Sequence, residues 1–105
     1  MNTFFQTDIF AHWLSSLKDA KTKARVLDRL KSAEFGNFGD CASVGEGISE
    51  MRLHFGAGYR IYFWQEGNQI YWLLIGGDKG SQKRDIAHAK LLRRKIEEMK
   101  NDKSK

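Results

Sequence analysis

The side chains able to do chemistry fall in three short stretches: Arg52 and His54 in "MRLHF", Arg60 and Tyr62 in "GYRIYF", and Lys79 to Arg84 in "KGSQKR". Two guanidinium forks can grip a phosphodiester, and an aromatic ring such as Tyr62 can stack on an unpaired base. A histidine titrates near neutrality, so His54 can take or give a proton while a ribose 2′-hydroxyl attacks the neighbouring phosphorus. Arg52, Arg60 and Lys79 would then neutralise charge growing on the phosphoryl oxygens. Ser81, Gln82, Lys83 and Arg84 extend the same surface for RNA binding. This chemistry needs neither metal nor cofactor, and the sequence shows no metal-ligand cluster. The ordinary alternative for His54 is a solvated histidine on a strand. His12 and His88 read as surface or packing residues.

The third stretch begins with paired glycines, "GGDKGSQKRDI" (76–86), and invites a nucleotide-binding reading. It fails that test, because the Gly-x-x-x-x-Gly-Lys-Ser/Thr pattern is absent. It also lacks Gly-x-Gly-x-x-Gly after a parallel strand. What survives is a strand end, a tight turn and a helix N-terminus whose free N–H groups and dipole attract anions, with Lys79 beside it. Ser81 is the expected N-cap, and a plain strand-to-helix connection is the simplest alternative.

These residues need a scaffold to hold them. Thr7 is expected to cap a first helix whose apolar face is Ile9, Phe10, Trp13, Leu14 and Leu17. Asp19 is expected to cap a second, with Ala20, Ala24, Leu27 and Leu30 buried and Lys18, Lys21, Lys23, Arg25, Arg29 and Lys31 outside. The glycine-punctuated segments 34–40 and 43–49 read as loops. Ile48–Phe55 and Tyr59–Trp64 alternate as strands and form a hairpin around Gly56-Ala57-Gly58. Pairing Phe55 with Tyr59 sets Leu53 against Ile61 and Met51 against Phe63 on one surface. The other surface then carries Glu50, Arg52, His54, Arg60, Tyr62 and Trp64. Gln69–Ile75 is a further strand, apolar on both faces and so central or doubly covered. The last helix has the stripe Ile86, Ala89, Leu92, Ile96 and Met99, and a frayed tail is expected beyond Lys100. The predicted class is α+β: an N-terminal helical hairpin packed on an antiparallel β-sheet meander, then a C-terminal helix, in one domain over 1–105. The hairpin covers the Met51/Leu53 face, leaving the Arg52/His54/Arg60/Tyr62 face open or partly covered.

Composition narrows the class further. The 105 residues suit one domain, and no apolar run approaches the ~20 residues of a membrane span. Cys41 is the single cysteine, which rules out an internal disulfide and fits a reducing cytosol. Residues 1–78 hold eight Lys/Arg against nine Asp/Glu, while residues 79–105 hold ten against four. A basic C-terminal third is either a footprint for a polyanion, nucleic acid first, or a solubilising helix and tail.

The stretches "FAHWLSSLKDAKTKARVLDRL" (10–30), "GNFGD" (36–40), "VGEGISEMRL" (44–53), "GAGYRIYF" (56–63) and "LLIGGDKGSQKRDIAHA" (73–89) together resemble the HigB-like, addiction-module killer branch of the RelE/ParE-like toxins. The resemblance spans residues 4–96. It implies the small RelE-like fold and a cytoplasmic toxin neutralised by a cognate antitoxin, often a helix-turn-helix protein. RelE- and HigB-like members cut mRNA on the ribosome without a metal, whereas ParE-like members inhibit DNA gyrase. By the resemblance Arg52, His54, Arg60 and Lys79 surround the scissile phosphate. One departure stands out: family nucleases often place a tyrosine or a histidine cluster near the C-terminus, and this chain has no aromatic residue after Trp72. Asp85, Gln82 or His88 would substitute, or His54 and Tyr62 suffice. The expected function is therefore a ribosome-dependent endoribonuclease toxin. The alternatives are a gyrase-binding toxin or a degenerate, non-toxic nucleic-acid-binding module. The antitoxin should present an acidic segment to the Arg52/Arg60/Lys79 surface, and a homodimer or toxin–antitoxin hetero-oligomer is compatible.

Overall fold

The computed structural model describes residues 1–103. A five-stranded mixed sheet runs β1 (Thr3–Gln6), β5 (Ile70–Gly77), β4 (Tyr59–Gly67), β3 (Ile48–Leu53) and β2 (Cys41–Gly45) in spatial order. Strands β3 to β5 form the expected antiparallel meander, but β2 extends it in antiparallel beside β3 and β1 adds to the other edge in parallel with β5. Neither outer strand was expected. β1 has four residues, and β2 contains Ala42, Ser43 and Gly45, types with weak strand preference.

Two successive helices, α1 (Asp8–Ser16) and α2 (Ala20–Glu34), lie over one face. Both predicted caps are present. Thr7 Oγ1 accepts from the Phe10 amide at 3.0 Å, and Asp19 accepts from the Thr22 amide at 3.3 Å. Phe10, Val26, Ala33, Met51, Leu53, Ile61, Phe63 and Leu73 form the core beneath them, with Trp13, Leu14, Leu17 and Leu30 against it. The buried stripe of α2 is therefore Val26, Leu30 and Ala33. Ala20, Ala24 and Leu27 are exposed, so the expected stripe was rotated.

The opposite face is not open. Helix α3 (Gln82–Lys103) lies across it, and Ala89, Ile86, Leu92 and Ile96 pack on Ile48, Tyr62, Trp64, Leu74 and Ile75. Strand β5 is thus covered on both faces, as its apolar run implied. A bulge at Leu74 shifts its pairing with β4 between Tyr62–Ile75 and Phe63–Leu73. Helix α3 continues through residues 101–103, which were expected to fray; residues 104–105 of that tail lie outside the described residues. Among the described residues no helix is long and apolar enough to cross a membrane.

The paired glycines are explained by close approach on both faces. A Cβ on Gly76 would overlap the Trp13 indole of α1, and one on Gly77 would overlap the Asp85 carboxylate of α3. Only hydrogen at both positions lets the two helical layers close on the end of β5.

Candidate functional site

The β3–β4 register differs by two residues from the sequence-based expectation. Leu53 pairs with Tyr59, Met51 with Ile61, Arg52 with Arg60 and Glu50 with Tyr62. A shift of two preserves which side chains share a face, so burial alone does not distinguish the two registers. The consequence is local but chemical: β3 ends at Leu53, and His54 stands in a five-residue loop, 54–58, instead of on the strand. Arg52 and Arg60 sit directly opposite each other, where like charges repel.

A buried carboxylate resolves that repulsion. Glu50, only 2% exposed, receives the Arg60 Nε–H at 2.5 Å and the Gln82 amide at 2.9 Å, and lies 3.7 Å from Arg52 Nε. Arg60 is further held by donating Nη1–H to the Gly58 carbonyl at 2.9 Å. Glu50 therefore joins β3, β4 and the first turn of α3 at one point. The Arg52/His54/Arg60/Tyr62 face, expected to be open or partly covered, is internally paired there.

His54 remains outside this network, with its side chain 71% exposed. Its Nε2 lies 2.6 Å from Asp40 Oδ2, and Asp40 Oδ1 lies 3.7 Å from Arg52 Nη1. The His54 hydrogen bond holds the Asp40 carboxyl below the usual carboxylate range, with the Arg52 charge helping. An ionised carboxylate can only accept, so Nε2 carries the proton and a neutral imidazole presents its Nδ1 lone pair to solvent.

Arg29 positions the pair. Its Nη1 donates to the Arg52 carbonyl at 2.7 Å and its Nη2 to the Phe38 carbonyl at 3.0 Å, tying the end of β3 to the segment that carries Asp40. Gly39 lies between those anchor points at φ +67°, and a Cβ there would collide with the Arg29 guanidinium. Arg29 was expected on the outer face of α2; the unmet carbonyls at these two chain ends draw it inward.

The Lys79 turn meets the same loop. The Lys79 amide donates to the Ala57 carbonyl at 3.4 Å, and the space at Gly58 borders both Lys79 Cβ and Arg60 Nη1. Lys79 itself is exposed. The helix start is built differently from expectation, however. One 3₁₀ turn, Lys79–Ser81, precedes α3, and Asp78 is its cap, accepting from the Ser81 amide at 3.1 Å while donating its own amide to Ser81 Oγ. Ser81 Oγ donates to the buried Asp85 carboxylate at 2.5 Å. The anion-binding end of the helix is thus occupied by the chain's own carboxylates.

The expected site residues therefore separate. Arg52, His54, Arg60 and Lys79 do gather around the β3–β4 loop. Tyr62 does not present a stacking surface: it is fully buried under α3, its hydroxyl has no partner among the described residues, and burial followed by the Glu50 charge pushes that hydroxyl above its ordinary range. Ser81 and Gln82 are turned inward to Asp85 and Glu50. Lys83 and Arg84 are exposed on the first turn of α3. Much of the remaining basic charge is structural. Arg94 makes a two-pronged pair with Glu46 at 2.7 and 3.0 Å, Arg93 lies over the Trp64 ring, and Lys100 pairs with Glu66. His12 and His88 lie on α1 and α3, and among the described residues no group of three or more His, Cys, Asp or Glu is placed to hold a metal ion.

Asp40, Glu50 and Arg29 were missed as site residues. For Glu50 a signal existed, since it shares a strand face with Arg52, and an acid on a face that becomes covered requires a cation beside it. Asp40 had none, because the contact spans fourteen residues of chain.

No family model matches the chain. An uncharacterized protein of Haemophilus influenzae (strain ATCC 51907 / DSM 11121 / KW20 / Rd) is 46% identical over 87 residues, which cover 83% of this chain and 88% of the relative. At that identity and coverage, the chain belongs to the same family as the Haemophilus influenzae protein.

Proposed function

We propose that this protein is the toxin of a type II toxin–antitoxin pair, a ribosome-dependent, metal-independent endoribonuclease that cuts mRNA and stops translation. The observation that carries the reading is the exposed His54 imidazole held by Asp40, with Arg52 on one side and the Lys79 turn against the same loop. It joins the sequence resemblance to HigB-like killers. In this scheme His54 Nδ1 removes the proton of the ribose 2′-hydroxyl, and the 2′-oxygen bonds to phosphorus. The P–O5′ bond breaks, the departing 5′-oxygen takes a proton from solvent, and a 2′,3′-cyclic phosphate is left. Asp40 stabilises the imidazolium that forms. Arg52 and Lys79 balance charge on the phosphoryl oxygens, and Arg60, fixed by Glu50, sets the floor of the site.

The same reading takes α1 and α2 as a RelE-like N-terminal helical hairpin and places the protein in the cytoplasm. Its partner is a cognate helix-turn-helix antitoxin whose acidic segment covers Lys79, Arg52, Lys83 and Arg84. One observation favours a second reading: Glu50 already neutralises Arg52 and Arg60 in part, and Tyr62 is buried. On that view the cluster is structural, and the protein poisons a target such as gyrase by binding, or is a degenerate nucleic-acid-binding module. Induced expression with parallel measurement of translation and plasmid supercoiling separates these. The nuclease reading expects translation to stop while supercoiling persists. Falling supercoiling with continued translation would support the gyrase reading instead.

A further inference from the structure

A shallow depression beside His54 is lined by Arg25, Asp28 and Arg29 of α2 and by Phe55 of the β3–β4 loop. Arg29 is committed to the Phe38 and Arg52 carbonyls. The Arg25 guanidinium lies 4.9 Å from the Phe55 ring centroid, and Tyr59 flanks the same ring at 5.8 Å. Phe55 is therefore held in place before anything binds. Asp28 is exposed, and its carboxylate makes no hydrogen bond or ion pair among the described residues, although two arginines stand nearby. Aromatic and guanidinium surfaces accept the face of any base, whereas a free carboxylate accepts from N–H and O–H donors and gains nothing from a base edge that carries none.

Resting on the nuclease reading, we propose that this depression is a nucleobase subsite that reads an N–H donor on the base edge, such as the exocyclic amino group of adenine. The Arg25 guanidinium, backed by Phe55, supplies the stacking surface, and the Asp28 carboxylate accepts from the N–H on the base edge. The base belongs to a nucleotide adjoining the phosphate addressed by His54, since Phe55 directly follows His54 in the chain. A base whose edge carries no N–H donor, such as unsubstituted purine, is disfavoured there. Lys79 and Arg52 contact phosphate and read no sequence.

The test uses the whole purified protein and two fluorescein-labelled hexanucleotides with 2′-O-methyl ribose, which cannot undergo 2′-oxygen attack. One carries adenine throughout; the other carries purine, which is adenine without the amino group. Fluorescence anisotropy at low salt should show adenine bound about five- to tenfold tighter than purine, the size expected of a partly exposed hydrogen bond to a charged group. Asp28→Ala should bring the two affinities together, while Lys79→Ala weakens both equally. Equal affinities in the wild type, binding to neither probe, or a ratio unchanged in Asp28→Ala would overturn the subsite. Cleavage of cellular mRNA is scored separately. Base selectivity without cleavage would keep the subsite and remove the nuclease reading, and cleavage without selectivity would do the reverse.

Discussion

Glu50→Gln is the substitution with the most exposed consequence in this structure. The carboxylate is 2% exposed and serves Arg60, Arg52 and Gln82 together, and the Arg60 side chain is itself only 15% exposed. Removing one partner of a buried ion pair costs about 3–5 kcal/mol, because the other charge stays desolvated and unpaired. Glutamine keeps an acceptor oxygen, and Arg60 keeps the Gly58 carbonyl, so about 2–4 kcal/mol is expected here. For a domain of this length, each kcal/mol shifts the midpoint by roughly 4–8 °C, giving a fall in Tm of about 10–25 °C. Calorimetry or circular dichroism at neutral pH reads this directly. The double variant Glu50→Gln/Arg60→Met removes the orphaned charge, and should lose clearly less than the two single variants summed. A fall in Tm of about 4 °C or less for Glu50→Gln, or strict additivity in the double variant, would refute the hub.

Other expectations can be checked with similar means. Gly76→Ala should destabilise by about 1–3 kcal/mol in denaturant unfolding, because its methyl enters the rigid Trp13 indole. Tyr62→Phe should be neutral or slightly stabilising, since the buried hydroxyl it removes has no partner; a loss above about 1 kcal/mol would point to a hidden hydrogen bond. The Asp40 carboxyl is held low by His54, so its pairing contributes fully above the ordinary carboxylate value of about 4 and is lost as pH falls through the lower folded value. An NMR titration of the Asp40 side-chain carboxyl carbon should show its midpoint below the ordinary value of about 4, and a midpoint at or above that value would contradict the pairing.

Much of the architecture was legible because local chemistry and burial agreed. Thr7 and Asp19 cap their helices as read, and Phe10 and Trp13 face the core side. The double-sided apolar run of β5 announced two covering layers, although which element supplied the second was not evident. The site was harder. A two-residue slip in the hairpin leaves every side chain on its face, so Met51, Leu53, Ile61 and Phe63 fit both registers equally well. What separates them is the pull of Glu50 on Arg60 and Arg52, a long-range electrostatic preference that periodicity does not carry. The same limit hid Arg29, whose α2 position looks solvent-facing until two carbonyls from other segments arrive beside it.

The cationic appearance of the C-terminal third was likewise only half informative. Arg93, Arg94 and Lys100 are engaged with Trp64, Glu46 and Glu66, whereas Lys79 lies against the His54 loop and Lys83 and Arg84 are exposed on the first turn of α3. Composition counts charges but not their partners. The turn at 76–86 illustrates the point, because the Ser81 amide is taken by Asp78 and the Lys79 amide by the Ala57 carbonyl of the hairpin loop.

The central claim is that His54, oriented by Asp40, drives 2′-hydroxyl attack on mRNA. Its most direct measurement is the end chemistry of cellular transcripts after brief induction, mapped by selective ligation of 5′-hydroxyl ends. The account predicts new 5′-hydroxyl ends within coding regions for the wild type, and their disappearance in His54→Ala with the protein still folded. Intact transcripts in growth-arrested cells, 5′-phosphate ends, or undiminished cleavage by His54→Ala would contradict it.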